Sequence, residues 1–241
     1  MSLPLLHQAQ SAREDTFVQG VKDCIPTLLG YMSIGFAFGI VGISSNLSIL
    51  EVALLSILVY AGSAQFIICA LLVTSTPATA IIFTTFIVNL RHFLLSLTVA
   101  PYLTRYSLSQ NIGFGALLTD ETFGVAASRI AEKGKLNNRW MNGLNITAYL
   151  CWIAACTLGA LSGQWISNPE ALGLDFALVA MFAALLVLQL QSIEKSKLTH
   201  RLSLVLYMII SMIILSTMLP SHVAVLISTM VVATIGVVTD R

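Results

Sequence analysis

From Cys24 onward the chain alternates long apolar runs with short polar ones. The runs cover about 24–44, 50–73, 77–101, 110–128, 140–163, 174–191, 202–219 and 222–238. Most approach the roughly 20 residues that a helix needs to cross a ~30 Å hydrocarbon layer. None shows the two-residue alternation of a barrel strand, so the predicted elements are membrane helices. The expected architecture is all-α and polytopic, with about eight transmembrane segments, or seven if spans two to four contain a re-entrant piece. Asp23 is the expected N-cap of the first span, with Pro26 in its first turn. Gly35, Gly39 and Gly42 share one face of it, read either as a close helix contact or as backbone approaching a solute. Ser107 to Gln110 fits a capping box at the start of the fourth span. The last two spans are plain aliphatic helices. Residues 1–23 are polar and lack the pattern of a signal peptide, so they are expected to form a cytoplasmic tail ahead of a single transmembrane domain, 24–240.

The polar positions inside these runs carry the chemistry. Arg91 and His92 fall near the centre of the third span, 77–101. A permanent guanidinium costs at least ~2.5–3.5 kcal/mol at mid-membrane on insertion scales, so a carboxylate, water or an anionic ligand must face it. Thr85, Asn89, His92 and Ser96 recur at helical spacing and make one polar stripe. Asp120 and Glu121 in the fourth span are the natural counter-charges. Read as one helix, that span puts Asp120 on a stripe with Gly113, Ala116, Gly124 and Ala127, a face suited to close packing, and Glu121 on another. Asp120 is therefore the expected structural partner of Arg91, and Glu121, or His92, the expected proton carrier. In the second span Ser56, Tyr60 and Ser63 share a face that Gln65 does not. Either Gln65 reaches a neighbouring helix or the helix breaks near Gly62 and Ser63, exposing backbone N–H groups to an anion.

Charge changes the picture through its placement. Only 10% of the 241 residues are charged, against about a quarter in a soluble domain. With eight spans and both termini cytoplasmic, ten of the twelve Lys and Arg residues lie inside; Arg91 is within the membrane and Arg105 is expected outside. No Gly-rich phosphate loop and no long polar stretch occurs, which excludes ATP-driven pumping by this chain alone. Cys24, Cys69, Cys151 and Cys156 form no CxxC and read as packing residues.

These positions suit a secondary transporter for a zwitterionic or anionic solute. The expected substrate-binding residues are Tyr60, Gly62, Ser63, Gln65, Asn89 and Arg91. The expected ion-pair or proton-coupling residues are Arg91, His92, Asp120 and Glu121, with no metal, cofactor or catalytic residue. Two alternatives are a structural subunit, whose polar groups only join helices, and an intramembrane serine hydrolase using Ser63 and His92.

The ordered set of Gly30-Tyr31 with Gly35-Phe36-Ala37-Phe38-Gly39, Tyr60 to Phe66, Asn89-Leu90-Arg91-His92, Thr119 to Phe123 and Gly173 to Ala177 resembles the AzlC family over residues 17 to 240. The resemblance implies a multi-pass protein of the bacterial inner membrane. It implies export of valine, leucine or isoleucine, with methionine a further candidate, and a small hydrophobic AzlD-type subunit as partner. It implies no enzyme activity and no nucleic-acid partner. One departure is Ser33, where the family pattern Gly-Tyr-x-Pro-x-Gly expects proline; this bears on a bend in the first span.

Overall fold

The structure is a computed structural model that describes residues 16–166, 195–219 and 221–239, with isolated positions between 176 and 190. Among the described residues there are nine α-helices and no strand. They are α1 (Phe17–Ser44), α2 (Ile49–Leu58), α3 (Gly62–Val73), α4 (Ala78–Val99), α5 (Leu108–Ala116), α6 (Asp120–Lys133), α7 (Asn138–Gly163), α8 (Lys195–Ser216) and α9 (Ser221–Thr239). The chain divides into two compact units after Leu178. The second unit pairs α8 with α9, and Ala224 and Ser228 are buried there. The expected sixth span, 174–191, lies largely outside the described residues.

The first unit is built on α1 and α7, which pack along their whole lengths and run in the same direction. Small residues make this possible. A Cβ on Gly20 would collide with the Trp140 carbonyl, one on Gly143 with the Phe17 carbonyl, one on Gly39 with the Cys156 carbonyl, and one on Gly159 with the Phe36 carbonyl. Each contact is backbone on backbone, the closest approach that two membrane helices make. The glycines of the first span are therefore packing residues. Gly35 and Gly39 face α7 and Gly42 faces Val52, so the substrate-lining reading does not hold for them. We call the end where α1 and α7 start proximal, and the end where they finish distal.

Two of the expected spans do not cross. At ~1.5 Å per residue, helices of 10 and 12 residues (α2, α3) and 9 and 14 (α5, α6) are each shorter than a ~30 Å core. α2 starts at the distal end, where Val52 abuts Gly42, and reaches mid-bundle, where the Ile57 carbonyl accepts from Tyr149. α3 then turns back: Gly62 sits against Trp152, Phe66 against Phe38, and Cys69 beside Ser45. The 50–73 segment is thus a hairpin that enters and leaves distally.

α5 and α6 form the matching hairpin from the proximal end. Tyr106, just before α5, bonds to Leu136 and Asn138 at the start of α7. The turn between α5 and α6 reaches Tyr31 and Arg91 at mid-bundle. α6 then returns to place Arg129 against Asp23 and over Trp140. Between the hairpins, α4 crosses from the distal to the proximal end. The first unit therefore places α1 with a distal hairpin, then α4 with a proximal hairpin, in opposite senses, followed by α7. This is the inverted arrangement that puts sites at mid-membrane in many transporters. Each hairpin begins at a capping box, Ser48 with Glu51 and Ser107 with Gln110.

Several expectations are corrected here. α1 begins at Phe17 with Thr16 as its N-cap, so Asp23 is not the cap and residues 17–23 are helical. Pro26 lies well inside that helix. α1 also continues through Ser33, whose hydroxyl donates back to the Leu29 carbonyl, so no helix break follows from the missing proline. Arg105 donates to the Leu136 carbonyl and so shares the proximal end with the basic 129–139 connector, opposite to expectation. The stripe through Gly113, Ala116 and Asp120 is interrupted at 117–119, and a Cβ added at Gly113 or Gly124 would meet nothing of a neighbouring element within 4 Å. It is not a packing face.

The candidate site at the meeting of two hairpin tips

Both tips bring a helix N-terminus to the middle of the bundle. The distal hairpin breaks at Val59 to Ala61, where Tyr60 adopts φ +36°, in the left-handed region a tyrosine rarely occupies. Helix resumes at Gly62, where any side chain would strike the Trp152 ring at 2.8 Å. Ala61 provides no side-chain cap, so the N–H groups of Gly62, Ser63 and Ala64 make no hydrogen bond among the described residues. The break expected near Gly62 is present, and Gln65 also finds a partner. Its Oε1 accepts from Trp152 Nε1 at 3.0 Å, and its Nε2 points to Ser56.

The proximal hairpin breaks at Leu117 to Thr119. Thr119 caps α6 together with Thr122, which places Asp120 and Glu121 in the first turn, where the helix dipole favours negative charge. Irregular backbone at this depth must find partners in protein. Side chains supply them: Asn145 donates to the Phe114 carbonyl at 3.3 Å, and His92 Nδ1 to the Leu118 carbonyl at 2.9 Å. A carbonyl only accepts, so Nδ1 carries hydrogen and the buried Nε2, which has no partner, faces inward.

Arg91 joins the tips. Its Nη1 lies 2.8 Å from Asp120 Oδ2 and its Nη2 donates to Ser63 Oγ at 2.7 Å, leaving Nε buried without a partner. One planar fork thus fixes the start of α3 against the start of α6. Glu121 points the other way and accepts from Tyr31 at 3.1 Å. Tyr31 also touches the Thr119 hydroxyl and stacks edge-on against Trp152.

The structure brings Tyr60, Gly62, Ser63, Arg91, His92, Asp120 and Glu121 together. Asn89 lies one turn from His92 on the same stripe, with Oδ1 buried and unpartnered. Gln65 is held away in a structural pair with Trp152. Ser63 Oγ accepts from Arg91 and His92 Nδ1 donates to a carbonyl, and no hydrogen bond joins Ser63 to His92. Tyr31, Thr119, Tyr149 and Trp152 were not singled out by sequence reading. A hydroxyl or indole N–H at mid-span was the available signal. No group of metal-ligating side chains occurs among the described residues.

Trp152→Phe is expected to cost about 1–3 kcal/mol, because the Gln65 carbonyl oxygen, in a fully buried side chain, is left unpaired. Adding Gln65→Leu should recover part of that loss in thermal unfolding. A Trp152→Phe protein as stable as the parent would contradict the pairing.

Between α4 and α5, one turn proximal to His92, lies a cavity of about 200 Å³ lined by Phe93, Ser96, Leu97, Val99, Ala100, Leu103, Asn111 and Gly115.

Comparison with known proteins places this geometry in a family. Inner membrane protein YgaZ of Escherichia coli is 29% identical over 182 residues, covering 73% of this chain and 74% of its own. A membrane protein of Archaeoglobus fulgidus is 31% identical over 173 residues, covering 71% and 74%. The branched-chain amino acid transport protein AzlC of Bacillus subtilis is 25% identical over 167 residues, covering 68% and 64%. No solved structure matches the chain. The family model described as AzlC protein matches residues 26–166, which hold α2 to α7 and about two thirds of α1. This multi-pass membrane chain belongs to the AzlC family.

Proposed function

We propose that the chain is a secondary transporter that exports branched-chain amino acids (valine, leucine and isoleucine, with methionine as a further substrate) across the bacterial inner membrane. It works with a small AzlD-type membrane subunit and draws on an ion gradient. The observation that carries this reading is the pair of opposed helix N-termini with one carboxylate, Glu121, that has no cation beside it. An amino acid presents the complementary charges. Its carboxylate suits the free amides of Gly62 to Ala64 with Arg91 Nε, and its ammonium suits Glu121. The mostly apolar cavity between α4 and α5 has room for a branched aliphatic side chain. The name of the Bacillus subtilis relative supports the same substrate class.

Vesicles loaded with unlabelled leucine should accumulate labelled leucine by exchange, and valine, isoleucine and methionine should compete where lysine and glutamate do not. The assay is run with and without the small subunit. Equal competition by all amino acids would remove the substrate assignment. No exchange in either case would favour the structural-subunit reading.

A further inference from the structure

We infer that Glu121 is the coupling site and that it works by competition: its carboxylate holds either a proton or the amino acid's ammonium group, never both, so the two move in opposite directions. This rests on the proposed amino-acid reading and adds a coupling mechanism to it.

Two carboxylates reach the middle of the bundle, and their surroundings differ. Asp120 is neutralised by Arg91 at 2.8 Å, and that guanidinium is committed on its other arm to Ser63. Glu121 forms no ion pair among the described residues and receives one neutral hydrogen bond, from Tyr31. Beside it is Tyr60, 7% exposed, whose hydroxyl lies close to the Tyr31 hydroxyl and the Glu121 carboxylate. Glu121 is half-buried, and a carboxylate at mid-bundle without a cation favours an arriving ammonium or a proton. The oxygen of the buried Tyr60 hydroxyl is a second acceptor for an arriving ammonium, which carries three N–H donors.

The other titratable groups around this pair do not take over the role. Tyr31, Cys24 and Cys151 supply no cation, and Asp120 and Arg91 neutralise each other. His92, which donates from Nδ1 to the Leu118 carbonyl, makes no hydrogen bond or ion pair with Glu121 among the described residues. The step is balanced: the carboxylic acid releases one proton to the water on the open side as one ammonium takes its place, and the reverse occurs on the other side. One amino acid moving out then brings one positive charge in.

Calorimetric titration of the full chain with leucine, repeated in buffers of different ionisation enthalpy, reads the proton count directly. Near one proton should be released per leucine under acidic conditions, and affinity should weaken about tenfold per pH unit there, as linkage requires. Glu121→Gln should bind more weakly, with affinity independent of pH and no proton release. Tyr60→Phe should keep the release while lowering affinity. Leucine binding without proton release at any pH overturns the competition and leaves the amino-acid reading standing. Absence of binding by any apolar amino acid overturns both. The wild-type measurement decides the matter even if Glu121→Gln does not fold.

Discussion

Gly39→Val and Gly159→Val proteins are expected not to assemble, and Gly39→Ala to lose about 3 kcal/mol or more. Overpacking a well-filled interior costs ~1–3 kcal/mol when side chains can shift. Here the obstacle is backbone: a Cβ on Gly39 meets the Cys156 carbonyl, and one on Gly159 meets the Phe36 carbonyl. Relief requires α1 and α7 to separate over their length, which would pull Tyr31 away from Trp152. Gly124→Ala is the control, since a Cβ there meets no described residue and alanine favours helix by about 1 kcal/mol. Thermal unfolding in detergent should therefore rank Gly124→Ala at or above the parent and Gly39→Ala far below it. Equal stability of the two alanine variants would contradict the parallel α1–α7 contact.

Arg91→Ala is expected to abolish transport, by at least about 100-fold, and to destabilise the protein. Breaking a buried ion pair costs ~3–5 kcal/mol because the surviving charge is stranded, and partial exposure of these two side chains (27% and 19%) brings the expected cost nearer ~2–3 kcal/mol. Arg91→Lys separates the two roles. An ammonium can keep the Asp120 pair, so stability should largely survive. It cannot hold the planar fork that also reaches Ser63, so exchange should still fall about tenfold or more. In a double-mutant cycle, Arg91→Ala with Asp120→Ala should be less destabilised than the sum of the single changes. Additive losses would show that the pair has no coupling, and full transport by Arg91→Lys would remove the fork from the mechanism.

Much of the site was legible because charge at mid-span has few solutions. Arg91 needed a carboxylate, water or an anionic ligand, and Asp120 with Glu121 stood out as the natural counter-charges in the next intramembrane segment. The helix faces point to Asp120 as the partner, and Asp120 is the partner, but the reason differs, since the segment that carries the two carboxylates is interrupted. Asp120 pairs with Arg91 because it starts a helix aimed at α4, not because it lies among small residues. The roles of Tyr31 and Trp152 were hidden for another reason. A tyrosine or tryptophan in an apolar run serves equally as packing, and only the partner across the bundle distinguishes the cases.

Hydrophobic pattern and charge by themselves determined the class, the bounds of α4 and α7 within a few residues, and the guanidinium–carboxylate pairing. These follow from transfer free energies, which depend on residue type and run length. The tertiary structure alone decided that two apolar segments long enough to cross instead turn back at mid-depth. Hydropathy measures how much apolar surface a segment carries but not its direction. A break is tolerated at that depth only where neighbours satisfy the freed backbone, and here those neighbours are His92, Asn145 and Tyr149, at sequence separations of 26, 31 and 92 residues from their partners.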